Sequence, residues 1–151
     1  MSRQVQIHKK AYMPKSKKQQ HITPERVWDL ISEIIGIPVH FCKEYFYDPC
    51  PANTPYKAAI FFNGLYGQWH RFNYINPPFE KVILELFVRK AVEQAKQNRF
   101  SIMLLPSKTD QDWFHDIILK KGYEIVWIRK RLQFKNNKHH APDTHFLVLI
   151  K

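Results

Sequence analysis

The tetrapeptide Asn76-Pro77-Pro78-Phe79 carries the residue types needed to activate an aromatic amine. Such an amine is a poor nucleophile because its lone pair is delocalised into the ring. Two hydrogen-bond acceptors aimed at its N–H groups draw the nitrogen toward tetrahedral geometry. The Asn76 side-chain oxygen suits one acceptor position and the Pro77 carbonyl the other. Prolines hold the backbone rigid and bring no competing N–H. Phe79 supplies a face on which a base swung out of a nucleic acid can stack. Asn-Pro and Pro-Pro are also common loop dipeptides. The same four residues therefore read equally as a turn that ends a strand, and the surrounding elements decide between the readings.

Those elements place the tetrapeptide between a strand and a helix. Arg71 to Ile75 reads as the strand, and Lys81 to Gln97 as the helix. In an open α/β sheet, ligands bind beyond the carboxyl ends of the strands. Upstream, Thr23 is a good helix N-cap and Pro24 fits the first helical position. Val27, Trp28, Leu30, Ile31, Ile34 and Ile35 follow at helical spacing, and Gly36 and Pro38 end the run. A first strand is expected within Val39 to Tyr47, at Glu44 to Tyr47. Pro49, Pro51 and Pro55 then impose a loop. Ala58 to Phe62 reads as a strand with Asn63-Gly64 as its turn.

Downstream, Ser101 to Leu105 is a short apolar strand stopped by Pro106. Asp110 to Lys121 is expected as a helix with Gly122 as its C-cap. Tyr123 to Ile128 reads as a strand continuing toward Phe134, and Lys135 to Asp143 as a polar loop. Thr144 to Ile150 is the last strand. Alternating strands and helices predict an α/β fold with crossover connections. The expected form is a doubly wound, mostly parallel sheet with a terminal antiparallel hairpin, matching the methyltransferase type. One reduced domain spans residues 22–151, behind a basic flexible tail over residues 1–21.

Composition narrows the partners. The chain has 151 residues and a net charge of +11, from 24 Lys and Arg against 13 Asp and Glu. A domain this basic attracts polyanions, of which nucleic acid is the commonest. The run Arg129, Lys130, Arg131, Lys135 and Lys138, interleaved with Trp127 and Phe134, is a candidate contact for phosphates, with Lys108 as a further cation. The other reading of the run is a charged edge hairpin that discourages pairing with another sheet. Cys42 and Cys50 form no CxxC pair and read as free thiols in a reducing compartment. No signal peptide or membrane-length apolar run is visible, so a soluble intracellular protein is expected. His139, His140, Asp143 and His145 read as a solvated loop leading into a strand rather than as a metal site, and no metal is expected.

Six segments in order give the chain a wider likeness. They are Thr23-Pro24; Asp48-Pro49-Cys50-Pro51; Phe62-Asn63-Gly64-Leu65 with Trp69; Tyr74 to Phe79; Leu104 to Asp110 with Trp113-Phe114-His115; and Arg131 to Phe134 before Ala141-Pro142. Over residues 22–150 the chain resembles the phage-type DNA N6-adenine methyltransferases, the small Dam-like enzymes of bacteriophages and prophages. The resemblance implies S-adenosylmethionine as methyl donor and adenine in DNA as substrate, with RNA open as an alternative. It implies that Asn76, Pro77, Pro78 and Phe79 are catalytic, and that Thr23, Pro24, Asp48 and Asn63 hold the donor. It places Pro106 to Phe114 near the target base, while Trp113 and Phe114 read equally as helix-face core residues.

Three positions depart from the family pattern. Asn63 stands where Asp is usual, Lys130 where Gly is common, and the first donor loop contains no glycine. The rival expectation is a nucleic-acid-binding or assembly protein that keeps the fold without turnover. Pro49-Cys50 resembles the nucleophile dipeptide of cytosine-5 methyltransferases, but the further motifs of that chemistry are not present. A chain of this length has no room for a separate target-recognition domain. Recognition is expected from loops, a second copy of the chain or a partner protein. Phage or viral origin, and with it the host cytoplasm, is what the family implies.

Overall fold

The computed structural model describes residues 21–52 and 64–151. The basic tail up to Gln20, the expected strand Ala58 to Phe62 and Asn63 lie outside the described residues. The elements are α1 (Glu25–Ile35), α2 (Val39–Tyr45), β1 (Phe72–Ile75), α3 (Lys81–Ala95), β2 (Phe100–Pro106), a π-helical turn (Phe114–Leu119), β3 (Glu124–Trp127) and β4 (His145–Ile150).

The four strands form one sheet in the order β1-β2-β4-β3. β1 and β2 pair parallel, with Ile75 opposite Met103. β4 runs antiparallel to both of its neighbours, with Leu104 opposite Leu147 and Val126 opposite Leu147 on the other side. β1, β2 and β3 therefore point the same way, and β4 is wedged between β2 and β3 against them. The expected antiparallel pairing of the last two strands is present. The expected mostly parallel sheet is corrected to a mixed one, because β4 returns beside β2 as well as β3 and makes two of the three strand pairings antiparallel.

Strand alternation splits the core into two layers. Ile75, Met103, Leu105, Phe146, Val148 and Ile150 face one side, where Ile83, Leu84, Phe87, Val88 and Ala91 of α3 cover them. Tyr74, Ile102, Leu104, Leu147 and Leu149 face the other, against Val27 and Ile31 of α1. Successive side chains of a strand point to opposite faces, so each strand feeds both layers. All six β4 residues are buried, as expected of a strand covered on both faces. Trp113 and Phe114 belong to the α3-side core, Phe114 packing on Phe146 at 5.7 Å.

Several local expectations are corrected. Glu44 and Tyr45 lie in or directly after the helical run of α2 rather than in a strand, and only Tyr47 makes a bridge, parallel to Asn73. The expected helix from Asp110 condenses to the π-helical turn, whose wide winding points Phe114, Ile117 and Ile118 into the core together. Gly122 closes it with φ +68°, a left-handed conformation that costs glycine nothing. β3 stops at Trp127 and does not reach Phe134. The chain turns away there into a loop held by Ala141 N–H donating to the Leu132 carbonyl at 2.7 Å.

Candidate active site

The parallel pair β1–β2 sends its carboxyl ends to one edge of the sheet, and Asn76-Pro77-Pro78-Phe79 leaves β1 at that edge. Tyr47 lies alongside β1. Its N–H donates to the Phe72 carbonyl and its carbonyl accepts from Tyr74 N–H, both at 3.0 Å. The next residue, Asp48, thus leaves at the same edge as Asn76. α1 completes the wall from above. A cavity of ≈ 270 Å³ between these elements is lined by Thr23, Trp28, Lys43, Asp48, Tyr74, Asn76 and Lys135, among others.

Asn76 is held by one end of its amide only. Its Nδ2 donates to the His21 carbonyl at 2.6 Å and to Thr23 Oγ1 at 3.3 Å. Two acceptors on the nitrogen fix which way the amide faces. Its Oδ1 is buried and has no partner among the described residues. A buried polar atom without a partner costs about 1–3 kcal/mol, so an unpaired acceptor at a strand end marks a position where something else bonds. Asn73, three residues earlier, is the contrast. Its Oδ1 accepts from His70 N–H at 3.0 Å and its Nδ2 serves the His70 and Phe100 carbonyls. Asn73 is satisfied and structural; Asn76 keeps one acceptor open.

Thr23 does not cap α1. Pro24 occupies the N-cap position and no side-chain cap bond forms. The Thr23 hydroxyl instead bonds the Tyr74 hydroxyl at 2.7 Å, on the way to Asn76. Burial drives the Tyr74 phenol well above its ordinary range, so it stays a neutral partner. Trp28 packs on Tyr74 with ring centroids 4.5 Å apart, giving the cavity an aromatic wall. Asp48 accepts from Cys50 N–H at 2.8 Å, and burial raises its carboxyl to about 6 against that bond. The Cys50 thiol is pushed up by burial and then by Asp48, which suits packing rather than nucleophilic attack. Glu25 ties Lys135 and Lys43 together at the rim and is held down at about 2 by the Lys135 and then the Lys43 hydrogen bond.

Phe79 sits in an aromatic cluster. His21 stacks on it with centroids 5.1 Å apart, and His21 also stacks on Phe134 at 4.6 Å. His145 lies 5.0 Å from Phe79 and 5.4 Å from Phe134. His145 is not part of a solvated loop, as its polar neighbours had implied. It is 1% exposed, and among the described residues its ring nitrogens find no close partner beyond a weak contact with the Asp143 backbone. Burial lowers it to about 4, so the ring is neutral; the Asp143 carboxylate opposes the shift.

Of the residues singled out from the sequence, Thr23, Asp48 and Asn76 meet at the cavity, joined by Lys135. Pro77 and Pro78 are buried beneath it. Lys108 is ion-paired to Asp143 at 2.9 Å. Arg129, Lys130, Arg131 and Lys138 are exposed on the loop beyond β3. His21 was not singled out from the sequence, Tyr74 and Phe134 were named only within longer segments, and His145 was weighed only as part of a solvated polar cluster. Helical spacing had already brought out Trp28, but as a core residue. For His21 no sequence signal existed.

Gly64 ties the Asp48 loop to the rest of the domain. A Cβ at Gly64 would collide with the Pro49 carbonyl and crowd Phe87. The loop from Asp48 holds no glycine; the close approach is made from the other side, by Gly64. Trp69 Nε1 locks the position by donating to the Gly64 carbonyl at 2.6 Å.

The Asn-Pro-Pro-Phe turn thus leaves the carboxyl end of a parallel strand in a mixed α/β sheet, beside a cavity walled by an acid and an aromatic pair. The model of the DNA N-6-adenine-methyltransferase (Dam) family matches residues 10–146, and the chain belongs to that family. A DNA N-6-adenine-methyltransferase of Escherichia phage T1 is 36% identical over 59 residues, covering 39% of this chain and 24% of that protein. The matched stretch thus spans about a quarter of that relative's length. No solved structure matches the chain.

Proposed function

We propose that the protein transfers a methyl group from S-adenosylmethionine to the exocyclic amine of adenine in DNA, on a reduced methyltransferase-type domain. The single observation that carries this reading is the buried Oδ1 of Asn76, which has no partner among the described residues while Nδ2 of the same amide is held by the His21 carbonyl and Thr23 Oγ1. Asn76 Oδ1 accepts one N–H of the amine, and the Pro77 carbonyl accepts the other. Both pull the nitrogen toward tetrahedral geometry. Directed acceptors prepositioned in a dry site cost little reorganisation at the moment of reaction.

The cavity residues fit the donor. Asp48 supplies an anion for its cationic groups, and Trp28 and Tyr74 supply an aromatic wall. The donor contributes an electrophilic methyl on a sulfonium. Asn76 lines the same cavity, which brings the acceptor for the amine next to the donor site. Phe79 receives the extruded base on a ring face. The His21 imidazole covers that ring at 5.1 Å, so an entering base takes the place His21 holds. Aromatic stacks are worth about 0.5–1.5 kcal/mol each beyond area burial, an exchange the base's own stack offsets.

The test is labelled methyl transfer to unmethylated duplex DNA, with nucleoside mass spectrometry of the product. N6-methyladenine is expected from the native chain. Asn76→Ala is expected to lower transfer by about 10²-fold or more while circular dichroism stays native, since one directed transition-state hydrogen bond is worth about 10²–10³ in rate. Full activity of Asn76→Ala, or no transfer by folded native protein, overturns the reading.

A further inference from the structure

A second pocket opens between α1 and the loop beyond β3. It has a volume of about 510 Å³ and is lined by Arg26, Lys130, Arg131, Gln133 and His140, with no carboxylate among them. Among the described residues, three other basic side chains near the site are already paired. Lys135 and Lys43 bind Glu25, and Lys108 binds Asp143. Lys130, Arg131 and His140 have no ion pair among the described residues and stand exposed.

The loop carrying these cations is fixed from inside by two side chains. The Arg26 guanidinium donates to three successive carbonyls, of Arg129 at 2.9 Å, Lys130 at 3.4 Å and Arg131 at 3.1 Å. Gln133 donates to the carbonyls of Asn137 and Lys138 at 3.4 and 3.3 Å. Each bond occupies an oxygen whose negative end would repel an anion. Lys130 itself sits at φ +62°, in the left-handed region that glycine adopts freely and other residues occupy at a cost. A lysine kept in that conformation, with its side chain lining the pocket, is strain tolerated where a positive charge is wanted. The pocket and the aromatic cluster are joined by the chain itself, since Gln133 of the pocket lining directly precedes Phe134 of the cluster.

We propose that Arg26, Lys130, Arg131, Gln133 and His140 form a phosphodiester site that holds the target strand beside the extruded base. Lys130 and Arg131 contact the phosphate, and Arg26 is the positioning residue that shapes the loop beneath them. The identity of the ligand as DNA rests on the methyltransferase reading.

Lys130→Gly separates binding from folding, because glycine relieves the left-handed backbone while removing the cation. The full chain, Lys130→Gly and the control Lys96→Ala are titrated into a labelled duplex between 50 and 200 mM salt, and each is melted. Lys96 follows the far end of α3, away from the pocket. Each neutralised phosphate contributes a salt slope of about 0.9 in log affinity. Lys130→Gly is expected to bind more weakly, with a loss about 3.5-fold larger at 50 than at 200 mM salt. Its melting temperature is expected to be unchanged or raised. An affinity and slope matching native protein, or a loss no greater than in Lys96→Ala, overturns the site. Methyl transfer by the native chain is assayed in parallel. Transfer without the slope change overturns the pocket alone. The slope change without transfer overturns the enzymatic reading and keeps the pocket.

Discussion

Replacing Thr23 by valine separates two roles for one hydroxyl. Family resemblance places Thr23 against the donor, whereas its observed bonds run to Tyr74 at 2.7 Å and to Asn76 at 3.3 Å. Valine keeps the shape and deletes the hydroxyl. Tyr74 is 2% exposed, so its hydroxyl is left without a partner. An unsatisfied buried hydroxyl costs about 1–3 kcal/mol, which lowers the melting temperature by roughly 2–12 °C. The added change Tyr74→Phe removes the orphan. The double variant should therefore be more stable than the sum of the singles predicts, the signature of a direct pair. For Asn76, the change removes the longer of two bonds that orient the amide, while the 2.6 Å bond to the His21 carbonyl remains. One bond of about 1 kcal/mol corresponds to roughly fivefold in rate. The assay is single-turnover methyl transfer at saturating donor and DNA, alongside donor affinity by calorimetry. A fivefold slower transfer with near-native donor affinity is expected. Native transfer rates in Thr23→Val, or a loss confined to donor affinity, would refute the orienting role.

Two further outcomes follow from buried titrating groups. Burial raises Asp48 to about 6, so its carboxylate forms as pH climbs through that value. Donor affinity should rise between pH 5 and 7 by calorimetry, and Asp48→Asn should abolish that rise. Above pH 6 the same variant should unfold less readily, by about 2–3 kcal/mol, since a raised carboxyl pKa penalises the folded state once the group is charged. His145, lowered to about 4, works in the opposite sense. Its contribution is present above its unfolded value near 6.5 and is lost as pH falls toward 4, by about 3 kcal/mol in all. His145→Phe should flatten that part of the stability-versus-pH curve in urea titrations; an unchanged curve would show that the imidazole is not buried as a neutral group.

Much of the scaffold was determined by the sequence. The run from Val27 to Ile35 buries Val27 and Ile31 as its helical period requires. Ser101 to Leu105 forms a strand buried on both faces, as an uninterrupted apolar run must. The placement of Asn76 to Phe79 between a strand and a helix was also legible, because prolines and local periodicity act over a few residues. Where tertiary contacts outweighed propensity, local reasoning failed. Val39 to Tyr45 joins a helix although its aromatic and β-branched residues suit a strand, because packing of Cys42 against the α1-side core decides. β4 inserts between β2 and β3, a pairing set by two distant neighbours that no local pattern encodes.

The chemistry divides the same way. The residue types themselves named Asn76 as an acceptor, and the family resemblance named Asp48 as an acid near the donor. Only the fold decided that Asn76 has its nitrogen bound and its oxygen free, because the partners of that nitrogen lie 53 and 55 residues away. Only the fold turned Thr23 from a helix cap into a link to Asn76, and buried His145 against Phe79. Hydrogen-bond direction and desolvation depend on atoms brought together from distant parts of the chain, and a residue's type and near neighbours carry no record of them.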